Sequence, residues 1–279
     1  MAGSHYAEPL AACRVSARQH SSNVMDDVPG IRLLHEALGP GLQLVPSELT
    51  RPAKFSYLAQ FELDGGVGMD ELPDAERRRR KVLVLTLDEL NAVYADWAAQ
   101  YDEDLVDALG YAGPSCAAKM FSAEIPKDSR ILDIGAGTGQ VGEALHAEGF
   151  RNLEALDASP DMLDVAREKS VYSAYFEMTL SKHLEVVAKP YDAVVSIGTM
   201  TVGHLSPKAF DEMARITKTG GWIVFSLIPR IAPESGYRTE IDRLTEEGTW
   251  RNVTVSEQFP IMASRPQEGD YNIWVFQVL

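Results

Sequence analysis

Cysteine is nearly absent from this chain, with two in 279 residues, Cys13 and Cys116. Two thiols build neither a disulfide framework nor a thiolate metal cluster, so a cytoplasmic chain without bound metal is expected. Long apolar runs are missing too. Nothing approaches the ~18–20 residues of a membrane-spanning helix, and Leu83 to Leu85 or Trp222 to Ile228 suit buried strands. The start, Met1 to Gln19, carries Glu8 and Pro9 and no unbroken apolar stretch, which argues against a secretory signal. Internal repeats and low-complexity tracts are lacking. Basic residues are in deficit, 26 Lys and Arg against 41 Asp and Glu, for a net charge of −15. The deficit is uneven: residues 1–81 carry −1 and the remainder −14. Binding to nucleic acid rests on neutralising phosphates with Lys and Arg, so that partner is disfavoured and a neutral or cationic small molecule is favoured. An apolar content of 45% with 24% charged residues is ordinary for a globular core.

What the chain does have is the stretch Ile131-Leu132-Asp133-Ile134-Gly135-Ala136-Gly137-Thr138-Gly139-Gln140. A short apolar run ends in three alternating glycines. Val141, Ala144 and Leu145 then recur at helical spacing until Gly149. Glycine lets backbone pass close to a ligand, and the N–H groups opening the following helix face the same place. This pattern predicts strand, turn and helix around a nucleoside-bearing cofactor. Two registers compete. Gly137-x-Gly139-x-x-Gly142 satisfies the dinucleotide pattern, with Asp157 as a ribose ligand, and would make the chain an NAD(P)-dependent oxidoreductase. Asp133-x-Gly135-x-Gly137-x-Gly139 resembles the first motif of class I S-adenosylmethionine-dependent methyltransferases. Asp133 favours the second, because an anion there sits badly beside a pyrophosphate and well beside an amino group and a sulfonium.

Residues 1–81 show no sustained period beyond one helical face, Ile31, Leu34, His35 and Leu38, and are set apart as an N-terminal extension to a domain spanning 82–279. The basic run Arg77 to Lys81 reads as a solvated helix turn or linker. A capping box, Thr86-x-x-Glu89, opens a helix with Leu87, Leu90, Tyr94, Trp97, Ala98, Tyr101 and Leu105 on one face and Asp88, Glu89, Asp96 and Asp102 on the other. Trp97 reads as core. Tyr94 and Tyr101 read either as core or as a lid over an open cleft. A second helix, broken at Gly110 to Pro114, runs to Phe121.

Leu153 to Leu156 is a strand ending at Asp157, Ser159 an N-cap and Pro160 the first residue of a helix carrying Met162. Tyr175 to Met178 is a third strand with Glu177 its sole acid, and Tyr191 to Ser196 a buried, hence parallel and central, fourth. Ser206-Pro207 is expected to cap a helix faced by Phe210, Met213, Ala214 and Thr217, ended by Lys218-Thr219-Gly220-Gly221 before a fifth strand from Trp222. A helix over Glu240 to Glu247 and two antiparallel strands, Val253 to Phe259 and Tyr271 to Val278, complete the chain.

Five strands alternating with helices, then an antiparallel pair, resemble the Rossmann-like seven-stranded α/β sheet of class I methyltransferases, mostly parallel with an antiparallel last strand. The glycine motif, Asp157, Tyr191-Asp192 and Lys218-Thr219-Gly220-Gly221 carry the likeness. A narrower resemblance, to the Williams–Beuren syndrome region methyltransferase-like proteins, rests on Tyr94 to Ala98, Tyr101-Asp102, Ser196 to Thr199 and Gly203-His204-Leu205. The class implies S-adenosylmethionine as cofactor and S-adenosylhomocysteine as product. It implies cofactor contacts from Asp133, Gly135, Gly137, Gly139 and Asp157; from their positions Ala136, Ala158, Ile197 and Tyr94 are further candidates, with Met162, on the first turn of its helix, expected against the adenine and Glu177, in the third strand, on its amino group. The acceptor is expected to be a small molecule methylated at N, O or S. No Asn/Asp-Pro-Pro-Tyr/Phe follows the fourth strand, which weighs against planar amide or base nitrogens. His204 reads as a base or acceptor contact, or as a loop histidine without chemistry, and Tyr101 as a residue closing over the sulfonium. A cofactor-binding module without turnover is the alternative of another class.

Overall fold

The computed structural model describes residues 73–82, 87–178, 190–201, 204–229, 236–260, 262–264 and 270–279. The face Ile31 to Leu38 and the capping residue Thr86 lie outside them. Two helices come first, α1 (Asp74–Val82) and α2 (Leu87–Trp97), continued by a tight turn of 3-10 helix (Ala98–Gln100) and a wide π-helical turn (Glu103–Ala108). After α3 (Gly113–Glu124) the alternation begins: β1 (Ile131–Ile134), α4 (Gln140–Ala147), β2 (Leu153–Asp157), α5 (Pro160–Glu168), β3 (Ala174–Glu177), β4 (Tyr191–Ser196), α6 (Ala209–Ile216) and β5 (Thr217–Leu227). It ends with α7 (Tyr237–Glu246), β6 (Trp250–Val255), the two-residue β7 (Phe259–Pro260) and β8 (Asp270–Val278).

The strands form one sheet in the order β3-β2-β1-β4-β5-β8-β6, with β7 paired to β8. Pairs from β3 through β5 are parallel, and β8 runs antiparallel to both β5 and β6. This is the mostly parallel sheet expected, with the last strand reversed. Its central strands are apolar on both faces because helices cover both. Ile131, Ala155, Ala193 and Val195 pack with Trp97, Phe121 and Phe150 on one side. Leu132, Ile134, Val194 and Phe225 pack with Phe210, Ile241 and Trp250 on the other. Each fully buried aliphatic side chain contributes roughly 1.5–3 kcal/mol of transfer free energy. No helix among the described residues is long and apolar enough to cross a membrane.

Four expectations are corrected. Lys218-Thr219-Gly220-Gly221 does not stop a helix: α6 ends at Ile216, and these residues belong to β5, where a register shift against β4 separates Thr217, opposite Tyr191, from Trp222, opposite Ala193. The expected Ser206-Pro207 cap lies before the helix, whose N-cap is Lys208 with no side-chain bond. The basic run is not merely solvated. Arg78 makes a two-pronged pair with buried Asp104 (2.6 and 2.8 Å), which also accepts from Trp97 Nε1 at 2.6 Å. Asp102, assigned to the polar outer face, stays partly exposed but bonds Thr138, Gln140 and Lys169. The 3-10 and π turns break the α period on either side of it, while Ala98 and Leu105 of the expected stripe stay buried and Tyr101 packs against the same core.

Candidate active site

In open α/β sheets ligands gather at the carboxyl ends of the strands. Here β1, β2 and β4 end at Ile134, Asp157 and Ser196, and the reversed β8 brings its first residues, including Tyr271, to the same edge. The glycine turn rides on β2: Gly135 and Ala136 N–H both donate to Leu156 O, at 2.8 and 3.1 Å. Gly135, Gly137 and Gly139 all have positive φ (70, 53 and 88°), and Gly139 is the N-cap of α4. A side chain at Gly139 would be strained there.

Asp157 ties strand to turn. Its Oδ2 accepts the Gly137 N–H at 2.8 Å and its Oδ1 the Ser159 N–H at 2.9 Å. Burial raises its pKa, opposed by the N–H groups of Ser159, Gly137 and Ala158. A carboxylate offers about four lone-pair sites, so both oxygens keep capacity for ribose hydroxyls. Ser159 caps α5 through the Met162 N–H at 3.4 Å, and Met162 is buried just behind the Asp157 tip. Glu177 lies opposite Asp157 in the β2–β3 register and is exposed.

Asp133 is fully buried at the end of β1. Tyr172 donates to its Oδ2 at 2.5 Å, while its Oδ1 has no hydrogen-bond partner among the described residues. Burial pushes this carboxyl up to about 7, against the Tyr172 bond and helped by nearby Asp157. Tyr172 also accepts the Gly142 N–H at 3.0 Å, and a Cβ at Gly142 would collide with its ring. The third glycine of the dinucleotide register is thus accounted for by a tyrosine. Gly137, by contrast, has open space where a Cβ would stand. An acceptor atom buried without a donor beside an open glycine cradle fits a ligand with a cationic donor end.

Over these tips lies a set of aromatic rings. Tyr94 hydrogen-bonds His204 Nε2 at 2.7 Å through its hydroxyl, and its ring centroid is 6.2 Å from that of Tyr101. The tip of β4 carries buried Ile197 and then Gly198, where a Cβ would stand 2.7 Å from the Tyr111 hydroxyl. Gly198 N–H is held by Ser226 Oγ at 2.8 Å. Burial raises the phenols of Tyr94, Tyr101 and Tyr111, and pushes Tyr271 up to about 12. Asp102 fastens this roof to the glycine turn: its Oδ1 accepts from Thr138 Oγ1 (2.5 Å) and Gln140 Nε2 (2.8 Å), and its Oδ2 pairs with Lys169 (2.6 Å).

The structure therefore gathers Asp133, Gly135, Ala136, Gly137, Gly139, Asp157, Ala158, Met162 and Ile197 at one edge, with Tyr94, Tyr101 and His204 above and exposed Glu177 at the side. Sequence reasoning missed Tyr111, Tyr271, Thr138 and Asp102. The break Gly110 to Pro114 was a signal for Tyr111, the glycine motif contained Thr138 and the Tyr101-Asp102 pair contained Asp102, while Tyr271 had no signal within its own segment.

Comparison with known proteins agrees with this geometry. A family model described as a methyltransferase domain matches residues 131–221. Human methyltransferase-like protein 27 is 30% identical over 169 residues, spanning 57% of this chain and 67% of that protein. The chain belongs to the class I S-adenosylmethionine-dependent methyltransferases. A putative methyltransferase of Bacillus subtilis, YqeM, is 25% identical over 183 residues, or 61% of this chain and 70% of that one. A TehB-like methyltransferase from Corynebacterium glutamicum shares the fold, with a TM-score of 0.50 at 18% identity, covering 67% of this chain and all of that one. As a methyltransferase of this class, the chain is S-adenosylmethionine-dependent.

Proposed function

We propose that this methyltransferase moves the methyl group of S-adenosylmethionine to a small-molecule acceptor at N, O or S, leaving S-adenosylhomocysteine. The observation that carries the reading is the bond between Asp157 and the Gly137 N–H, which fixes a ribose-binding carboxylate against the glycine cradle. Asp133 Oδ1, buried without a donor, would take the ammonium of the methionyl end. Ala158 and Met162 would flank the adenine, Glu177 would meet its amino group, and Ile197 and Tyr94 would close the remaining side. The cofactor brings a methyl carbon already activated by its sulfonium, so the chain's task is alignment and exclusion of water. A group that accepts a proton is needed only for acceptors that carry one, and His204 and Tyr101 are the residues we assign to that role.

The net charge of −14 beyond residue 81 supports a small acceptor over a polynucleotide. Incubation with methyl-labelled cofactor and metabolite extract, read by mass spectrometry, tests this. A labelled small product is expected; label confined to RNA or protein would contradict it.

A further inference from the structure

Tyr94, in α2, and His204, in the segment after β4, are 110 residues apart in the chain yet meet at 2.7 Å above the strand tips. The carboxylates of the site act on the same rings. Asp157 lies within electrostatic reach of Tyr94 and Tyr101, Asp133 of Tyr111, and Asp102 of Tyr101. Of these carboxylates Asp102 is paired with Lys169, and Arg79 acts on Tyr271, which leaves Asp157 and Asp133 as the acids facing Tyr94, Tyr101 and Tyr111. Aromatic faces and carboxylates together attract cations and repel anions.

We propose that this ring set is the acceptor site, that its substrate is a compact primary or secondary amine arriving as an ammonium ion, and that Tyr94 and His204 take up its proton. The inference rests on the methyltransferase reading above and names the substrate class of that site. The phenol of Tyr94, raised by burial, Tyr101, Asp157 and Tyr271, is protonated at neutral pH and cannot act as a resting phenolate. It acts as a relay. Tyr94 Oη receives a proton from the acceptor nitrogen as its own proton passes to His204 Nε2, leaving Tyr94 neutral, His204 an imidazolium and the nitrogen lone pair free to attack. Once the products leave, the relay runs in reverse and Tyr94 passes the proton to the water that refills the site. An alcohol or carboxylate acceptor would gain nothing from the negative surroundings, and a carboxylate would be repelled.

The test uses the full chain. Calorimetry first measures S-adenosylhomocysteine binding, then titrates a panel of small amines, and matched alcohols, phenols and carboxylates, into that complex. The same panel is assayed for turnover with the methyl-labelled cofactor. Amines are expected to bind and to be methylated in preference to the matched compounds. Tyr94→Phe, which keeps the ring, and His204→Asn are expected to lower kcat on the order of 100-fold or more, the scale of general acid–base contributions. Affinity for S-adenosylhomocysteine should stay within about threefold, because Tyr94→Phe keeps the ring and the proton step is distinct from cofactor binding. Product binding without amine binding, preference for an alcohol, phenol or carboxylate, or full kcat in both variants would overturn this inference alone. Failure of the wild-type chain to bind S-adenosylhomocysteine would overturn the cofactor reading and this one with it.

Discussion

Asp157, at the tip of β2, holds the Gly137 amide of the turn after β1 at 2.8 Å, so one carboxylate both shapes the glycine cradle and lines it. Asp157→Ala should therefore weaken binding of S-adenosylmethionine and its product by more than about tenfold, through loss of charge-assisted bonds. Asp157→Asn, which keeps one acceptor oxygen, should fall between. Calorimetry on folded variants checks this. Unchanged affinity in the alanine variant would remove Asp157 from the site.

Asp133 makes a prediction about pH. Its carboxyl titrates near 3.8 when unfolded and near 7 in the fold. Between those values the native state binds more protons than the unfolded one, so stability falls as pH rises from about 4 to 7 and is level above. Asp133→Asn removes that loss. In the cofactor-free protein its unfolding free energy from urea denaturation should exceed the wild type's at pH 8, by at most about 4 kcal/mol at ~1.36 kcal/mol per pKa unit. The two should converge near pH 4. A constant difference across that range would contradict the burial of an ionisable group there.

How far the sequence alone reached is clearest at the two ends of this site. The turn from Gly135 to Gly139 and the Asp157 to Pro160 cap were legible because their causes are local: backbone close approach, positive φ and a side chain capping its own helix. Asp102 was not. A heptad-like stripe assumes one helical period, and the 3-10 and π turns on either side of Asp102 change that period. Tyr271 reaches the edge only because β8 runs backwards beside β5, a pairing between distant segments. Lys218 to Gly221 misled for a related reason, since paired glycines end helices as readily as they fill a bulged strand, and only the partner strand decides.

Asp102 predicts coupling between roof and turn. Asp102→Ala releases Thr138 and Gln140 and leaves half-buried Lys169 with Glu143 as its remaining acidic partner. Amide exchange over residues 87–108 should speed up, and cofactor dissociation with it, while the sheet's protection is unchanged. Hydrogen exchange with and without S-adenosylhomocysteine reads both. Identical exchange in variant and wild type would mean that Asp102 does not hold the roof.

Arg78 predicts a stability effect far from the chemistry. Arg78→Ala strands a 7%-exposed Asp104 carboxylate. The cost should be roughly 2–4 kcal/mol, at or below the range for fully buried pairs because Arg78 is itself 37% exposed. Urea denaturation measures it. A loss under about 0.5 kcal/mol, the scale of an ordinary surface substitution, would show the pair to be incidental.

The central claim is that the Gly135 to Gly139 cradle, with Asp133 and Asp157, holds S-adenosylmethionine. Calorimetric titration of the full chain with S-adenosylmethionine, S-adenosylhomocysteine, NAD and NADP tests it most directly. One-to-one binding of the first two, and no binding of the nicotinamide cofactors, is expected. Tight binding of NAD or NADP with none of the sulfur compounds would contradict it.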